Sequence, residues 1–410
     1  MSDPRYDVVV FGATSFVGQI LVRYLTEQFG VHGELKWAIA GRSDEKLRDV
    51  RQAVGKDAIG LPLMVANASS ETSMKKMCGQ TRVVISTVGP YALYGEALVK
   101  VCAQTGTDYC DLTGETQFIR RMVDKYEKDA QASGARIVHC CGFDSIPSDL
   151  GVFFLQQEAV ERFGEPCSDV TMRVKTIKGG ASGGTIASML NVVKEAVGNP
   201  SLRKELANPY YICPPSNEQR PRQHTVKGAE YDANVNSWIA PFVMAAVNER
   251  VVLRTNALTG DSYGKDFSYN EAMQTGPGFK GKAIAWTATI GIGMFMLAAV
   301  IPPLRWLMER FLLPKPGEGP SPEQQLNGFY DLRFVGKTAS GKTIKVKVTG
   351  DRDPGYGSTA KILGQAGVCI VKDIAKSDKA GGFWTTAIMF ENHLLKRLRK
   401  DAGLTFDVIE

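Results

Sequence analysis

The stretch DVVVFGATSFVG, residues 7–18, decides the fold of the first part of this chain. An apolar strand pattern ends at Gly12, and a helical pattern begins after the following loop. A tight turn from strand to helix needs a residue without a side chain, which Gly12 supplies, and Gly18 lets the helix pack closely on the strand. The helix start then presents backbone N–H groups to a dinucleotide pyrophosphate. The predicted cofactor-binding loop comprises Gly12, Ala13, Thr14, Ser15, Phe16, Val17 and Gly18.

The spacing alone is not specific, because a glycine-rich turn that binds nothing has the same pattern. Ser15 stands where the fingerprint has its middle glycine, and it can offer an N–H and a hydroxyl to a phosphate. The second strand is more informative. A site for NAD has an acidic residue after this strand, but here the chain continues Gly41-Arg42-Ser43. Arg42 can pair with a 2′-phosphate and Ser43 can add a hydroxyl contact, so NADP(H) is the predicted cofactor. The alternative is a solvated surface arginine.

The fourth strand ends in a further candidate loop, which comprises Thr87, Val88, Gly89, Pro90 and Tyr91. Ligands of open α/β sheets bind beyond the carboxyl ends of the strands. We therefore expect this loop to contact the ribose and the nicotinamide, the alternative being a simple turn.

Strict alternation of apolar strands and helices over about the first 145 residues is typical of a parallel sheet covered on both faces. The fold class predicted is α/β: an N-terminal Rossmann doubly wound sheet with a second, mixed α/β (α+β) domain. The predicted division is 1–147 for the NADP-binding domain and 148–350 for a substrate or oligomerisation domain. Residues 351–410 are predicted as C-terminal helices that pack back on the first domain.

Composition excludes several classes of protein. The 410 residues carry 49 basic and 43 acidic side chains without a dense basic run, so nucleic acid is not an expected partner. Eight cysteines and four histidines form no C-x-x-C pair and no zinc spacing, and no metal is expected. The N-terminus enters a strand pattern directly, without the features of a cleavable signal, which predicts a cytoplasmic protein.

Five segments in order, GATSFVG, AGRSDEKL, STVGPYALYGEALVKVC, YCDLTGE and CGFDSIPSDLG, resemble the saccharopine dehydrogenase-like oxidoreductases. The nearer resemblance is to the subfamily with the trans-acting enoyl reductases of bacterial lipid and polyketide assembly, which GGTIASML, DPGYGSTAKIL and GGFWTTA also resemble. The resemblance implies a Rossmann domain that binds NADP and a mixed α/β domain after it. Ser15 departs from the family's usual glycine. Asn67, a further cofactor-binding candidate, stands where an acidic residue is common.

The activity that the resemblance implies is NADPH-dependent reduction of the double bond of an enoyl substrate, a thioester or lipid-linked. Tyr91 and Asp144 are the catalytic candidates. Ser145 and Thr185 are further candidate donors to the thioester oxygen, and Glu115 could line the cleft or cap the next helix. Asp144 could equally cap a helix. Two alternatives stay open: reduction of an amino-acid-derived imine, as in saccharopine dehydrogenases, and a catalytically silent NADP-binding protein that associates with membranes or lipids. Arginines of the second domain form no clear clamp for a diacid, which favours a lipid-like or acyl-thioester substrate.

Residues 283–304 contain no charged side chain, although basic residues stand on both sides. A membrane span would place the two ends of the family's fold on opposite sides of the bilayer, and Pro302-Pro303 would end the helix. The segment 283–313 is therefore expected to contact a membrane surface, peripherally on its inner face, or to cover the substrate cleft. Burial in the core or at a homodimer interface is the alternative.

Overall fold

The first part of the chain alternates strands and helices as the sequence predicts. A computed structural model of the protein describes residues 4–180, 183–315 and 317–409. The elements up to residue 138 are β1 (Tyr6–Phe11), α1 (Phe16–Phe29), β2 (Trp37–Gly41), α2 (Asp44–Val54), β3 (Leu63–Val65), α3 (Glu71–Cys78), β4 (Thr81–Ser86), α4 (Tyr91–Tyr94), α5 (Glu96–Thr105), β5 (Asp108–Asp111), α6 (Thr116–Ser133) and β6 (Arg136–Val138), with a short 3₁₀ turn at Lys56–Ala58.

The remaining elements alternate less regularly. They are α7 (Ile146–Phe163), β7 (Cys167–Lys178), α8 (Gly183–Gly198), α9 (Pro200–Leu206), β8 (Glu230–Asp232), β9 (Ser237–Pro241), α10 (Ala245–Leu258), β10 (Ser268–Gly276), α11 (Gly278–Val300), α12 (Pro302–Phe311), α13 (Pro322–Leu326), β11 (Phe329–Thr338), β12 (Thr343–Gly350), α14 (Thr359–Lys372), β13 (Gly382–Trp384), α15 (Thr386–Asp401) and β14 (Leu404–Val408). A π turn at Pro354–Ser358 precedes α14.

The first sheet is parallel throughout, with the order β13-β6-β5-β4-β1-β2-β3. Its inner strand β1 is fully buried at Val8, Val9 and Val10, because helices cover both faces. From β1 the chain proceeds to β2 on one side and later to β4 on the other. This reversal opens the crevice in which doubly wound folds bind dinucleotides, so the predicted Rossmann fold is confirmed.

The second sheet is mixed, in the order β14-β12-β11-β7-β10-β9-β8, which confirms the second α/β (α+β) unit. Its centre is β7, which pairs with β10 in parallel and with β11 in an antiparallel ladder. Strands β11 and β12 form a hairpin. The region 199–235 contains α9 and β8.

The end of the chain joins the two sheets. Strand β13 extends the first sheet beside β6, and β14 extends the second beside β12. Helix α14 packs on α1, where the absence of a side chain at Gly364 admits Leu21 and Tyr24. The boundaries 1–147, 148–350 and 351–410 stay predictions.

The uncharged segment forms most of α11. This helix is, among the described residues, the one long and apolar enough to cross a membrane by length and composition alone. It ends at Val300, and Pro302 begins α12, as the two prolines predict. Only 11% of its most apolar window is buried, which does not favour a core helix. The location of the protein, cytoplasmic or peripheral on a membrane, stays a prediction.

Candidate active site

Two glycines let the loops after β1 and β4 meet at the sheet crevice. Gly12 has a φ of +90°, and a Cβ there would lie 2.7 Å from a Val88 methyl and 2.8 Å from the Thr87 hydroxyl. A Cβ on Gly18 would overlap the carbonyl oxygen of Gly12 and would lie 2.9 Å from the Ala13 Cα. Both positions therefore require glycine, as the fingerprint predicts.

Ser15 forms hydrogen bonds within this loop, and its contact with a phosphate stays a prediction. Its Oγ accepts a hydrogen bond from the Gly18 N–H at 2.9 Å and donates one to the Thr87 hydroxyl at 2.9 Å. Its own N–H donates to the Gly12 carbonyl at 2.8 Å. In the described part of the chain, the N–H groups of Phe16 and Val17 at the start of α1 have no backbone or side-chain acceptor. Free N–H groups at a helix start are typical of anion sites, so the binding of a pyrophosphate here stays a prediction.

The predicted 2′-phosphate site lies at the end of β2. Arg42 is exposed there, and no carboxylate of the described residues lies within ion-pair distance of it. The Ser43 hydroxyl caps α2 by accepting the Lys46 N–H at 3.2 Å, and it keeps its proton for a further acceptor. The N-terminus of α2 adds a favourable field for an anion. Asn67, after β3, is exposed and accepts the Ser69 N–H at 3.0 Å, so it shapes the turn there.

Glu115 holds the loop that follows β4. Its carboxylate accepts the N–H of Tyr91 at 2.7 Å and that of Ala92 at 3.1 Å. Burial raises the pKa of Glu115, and these two N–H groups and a hydrogen bond from Ser188 on α8 oppose the rise. The sequence analysis had left Glu115 as either a cleft residue or a cap. It anchors the Gly89–Tyr91 loop, whose Gly89–Pro90 peptide bond is cis.

The two catalytic candidates have different surroundings. The Tyr91 hydroxyl points inward and donates to the Ser86 carbonyl at 3.0 Å, and burial raises the pKa of Tyr91 well above its ordinary value. Asp144 is half-buried between β6 and α7. Burial and then the charge of Asp111 raise the pKa of Asp144 to about 7. No side chain caps the first turn of α7 in the described structure, so the capping alternative for Asp144 is not seen.

The π turn at Pro354–Ser358 connects these parts, and the sequence analysis did not identify it as part of the site. The ring of Tyr356 packs edge-on against Phe16 of the glycine loop, with centroids 5.1 Å apart, and its hydroxyl lies 3.0 Å from that of Thr185 on α8. Just after the turn, Thr359 accepts the N–H of Phe143, next to Asp144, at 2.9 Å. This turn lies in the segment DPGYGSTAKIL, whose resemblance to the subfamily was the sequence signal that could have identified it.

Comparisons with known proteins agree with this geometry. Residues 8–138 match the family model of the saccharopine dehydrogenase NADP binding domain. A putative trans-acting enoyl reductase of Mycobacterium tuberculosis is 39% identical over 407 residues, covering 96% of both chains. The trans-acting enoyl reductase of Mycobacterium bovis BCG is 35% identical over 411 residues, covering 97% of this chain and 96% of the relative. The chain belongs to the saccharopine dehydrogenase-like oxidoreductases. Its relatives with these names place it in the enoyl reductase subfamily.

A solved structure shows the same fold. Apo saccharopine dehydrogenase (L-Glu forming) from Saccharomyces cerevisiae aligns with a TM-score of 0.53 at 13% identity, covering 99% of this chain and 100% of that one. The match to the NADP-binding family model and the relatives at 35–39% identity show that this saccharopine dehydrogenase-like protein is an NADP-dependent oxidoreductase. The residues that contact the cofactor stay proposals. They are Gly12, Ala13, Thr14, Ser15, Phe16, Val17, Gly18, Arg42, Ser43, Asn67, Thr87, Val88, Gly89, Pro90 and Tyr91.

Arg42→Ala should weaken NADPH binding by about tenfold to a hundredfold and leave NADH binding nearly unchanged. The substitution removes a charged hydrogen-bond donor to the 2′-phosphate, an interaction of about 1.5–3 kcal/mol, and NADH lacks that phosphate. Fluorescence titration with both cofactors measures the two dissociation constants. Arg48→Ala is the control, since Arg48 lies within α2, six residues after Arg42, and pairs with Asp44 at 2.7 Å. Equal losses for both cofactors would show that Arg42 does not bind the phosphate.

Proposed function

We propose that this protein is an NADPH-dependent reductase of the carbon–carbon double bond of an enoyl substrate, a thioester or lipid-linked. The observation that carries the proposal is that relatives 35–39% identical along almost the whole chain are named trans-acting enoyl reductases. The cofactor crevice and the Asp144 loop lie in the parts of the chain that these relatives share.

The bound cofactor supplies a hydride to the β-carbon of the substrate. The remaining requirements belong to the protein. The loop of residues 12–18 and Arg42 bind and orient the dinucleotide, and Glu115 fixes the loop against which the nicotinamide would lie. Asp144, protonated below its pKa of about 7, lies in the loop between β6 and α7 and would deliver a proton to the α-carbon. Tyr91 is less suited to this step because its hydroxyl is bonded to Ser86.

Three arginines of the second domain bind within the protein, which supports an apolar substrate over a diacid. A diacid such as saccharopine requires arginines that converge on a cleft. Arg173 instead pairs with Asp232 at 2.6 Å inside the second sheet. Arg250 donates to the Ala246 and Leu206 carbonyls, and Arg254 donates to the Ile212 and Phe383 carbonyls. The guanidinium groups of these three arginines therefore stabilise the fold and do not form a clamp for a diacid.

Anaerobic NADPH oxidation with a panel of trans-2-enoyl thioesters of rising chain length tests the proposal. We expect turnover that improves with chain length, and a saturated product that carries deuterium at the β-carbon when deuterated NADPH is used. A lysine-derived imine is included as the competing substrate. Oxidation with the imine alone would favour a saccharopine-type reductase. NADPH binding without oxidation by any member of the panel would favour a catalytically silent protein.

A further inference from the structure

The surface formed by α11 and α12 is apolar and uncovered. Helix α11 is apolar around its circumference, yet just three of its residues, Gly281, Ala285 and Ala299, are buried. Among the exposed side chains are Phe279 (86% exposed), Met294 (67%), Leu297 (60%), Trp306 (59%) and Phe311 (66%). Single exposed apolar residues are common, but a contiguous apolar surface marks an interaction site. A helix of 23 residues presents such a surface over about 34 Å.

Both ends of α11 are attached to the folded body. Near its start, the Thr275 hydroxyl donates to the Gly281 carbonyl at 3.0 Å, and the Lys282 ammonium lies over the ring of Trp238 at 5.2 Å. Near its end, Ala299 packs with Leu190 and Val193 of α8. The middle of the helix therefore lies along the protein surface. This position suits a helix that lies in the plane of a membrane surface and does not suit a helix that spans the bilayer.

The charges around this surface are mostly basic; the acidic side chain on α12, Glu309, pairs with Lys194 at 3.2 Å. Lys280, Lys282, Arg305, Arg310 and Lys315 flank it, and residues 278–308 contain no acidic side chain. Apolar side chains surrounded by lysine and arginine are typical of segments that bind anionic membrane surfaces. Trp286 and Trp306 are exposed, and tryptophan is enriched where hydrocarbon meets headgroups.

We propose that α11 and α12 dock this protein on a bilayer that contains anionic lipids, inserting their apolar side chains at the headgroup boundary. The docking surface is continuous with the active site through α8. Leu190 and Val193 of α8 pack with Ala299 and Met308 of the docking helices, and Ser188 of α8 hydrogen-bonds to Glu115. An acyl chain would thus enter the cleft from the membrane side. The docking itself does not depend on the proposed enoyl reductase activity.

Flotation with vesicles tests the docking in the absence of substrate. The full chain is mixed with vesicles of phosphatidylglycerol and phosphatidylcholine in equal amounts, or of phosphatidylcholine alone. We expect stronger binding to the anionic vesicles. The triple variant Ile290→Ser, Met294→Ser, Leu297→Ser should lower this binding by at least about tenfold, since three apolar side chains no longer enter the hydrocarbon boundary. Ile59→Ser with Val160→Ser is the control, because both residues are exposed and apolar but lie elsewhere.

The charge contribution is measured separately. Lys280→Gln with Arg310→Gln should weaken binding to the anionic vesicles by about fivefold for each charge removed and leave binding to neutral vesicles unchanged. Brominated lipid should quench Trp286 and Trp306 in the wild type, and little quenching should remain in Trp286→Phe, Trp306→Phe.

Two results would overturn the proposal. One is the absence of binding to anionic vesicles. The other is a dimer in light scattering that the triple variant converts to a monomer, because the apolar surface would then be a subunit interface. NADPH binding is measured for every variant and should stay unchanged. Unchanged binding shows that the variant is folded.

Discussion

Asp144→Asn should lower kcat for enoyl reduction by about a hundredfold to ten-thousandfold, the usual contribution of a positioned general acid. NADPH binding should be unchanged, since Asp144 is not part of the loop of residues 12–18 that is proposed to bind the pyrophosphate. Asparagine keeps the size of the side chain but cannot release a proton. Stopped-flow measurement of NADPH oxidation, with a saturating enoyl thioester, separates this loss in kcat from any effect on substrate binding.

The pH profile provides the sharper evidence. Because burial and Asp111 raise the pKa of Asp144 to about 7, the protonated acid predominates below that value. The wild-type kcat should therefore fall as pH rises through about 7, and the residual activity of Asp144→Asn should lack this transition. Tyr91→Phe is the matched comparison. It should retain kcat within a few-fold and lose about 1 kcal/mol of stability, because the Ser86 carbonyl loses its donor. A large loss of kcat in Tyr91→Phe, together with wild-type kinetics in Asp144→Asn, would indicate that Tyr91 and not Asp144 donates the proton.

Stability distinguishes a catalytic Asp144 from a structural one. The folded-state pKa of about 7 lies above the ordinary aspartate value of 3.8. The contribution of this group to folding is therefore fully present below the unfolded pKa and is lost as pH rises through about 7. Asp144→Asn does not titrate, so above neutral pH it should unfold at a higher denaturant concentration than the wild type. A destabilised variant would indicate that Asp144 serves the fold.

The sequence predicts the first sheet well because its determinants are local. Strands β1 and β2 are short apolar runs that end at or just before a glycine, and the handedness of β–α–β units leaves few arrangements. The second sheet depends on pairing between distant segments, such as β7 with β10 and with β11, which no local pattern specifies. Strand β13, near residue 383, likewise joins a sheet whose other strands end at Val138.

The candidate site shows the same division between local and distant determinants. The requirement for Gly12 and Gly18 could be predicted from spacing because the turn itself imposes it. The role of Ser15 could not, since it depends on Thr87, which is 72 residues away in the chain. Tyr356 contacts Phe16 and Thr185, and these partners come together only when the two sheets assemble.

Gly18→Ala should weaken NADPH binding by about a hundredfold, equivalent to about 2.7 kcal/mol, and should also lower the unfolding temperature. The added Cβ meets the Gly12 carbonyl and the Ala13 Cα, and backbone atoms cannot move aside as a flexible side chain can. The loop must open, which displaces the N–H groups of Phe16 and Val17 from a pyrophosphate. Calorimetric titration with NADPH, together with thermal unfolding of the free protein, measures both effects.

Gly293→Ala is the control for this substitution, because Gly293 lies inside helix α11 with no atom within 4 Å of an added Cβ. The two changes are chemically identical, but alanine should stabilise the interior of a helix by up to about 1 kcal/mol where space is available. The unfolding temperature should therefore rise slightly in Gly293→Ala, with NADPH binding unchanged. If Gly18→Ala bound NADPH normally, the loop would not need the close approach of helix and strand, and the cofactor would have to bind elsewhere in the crevice.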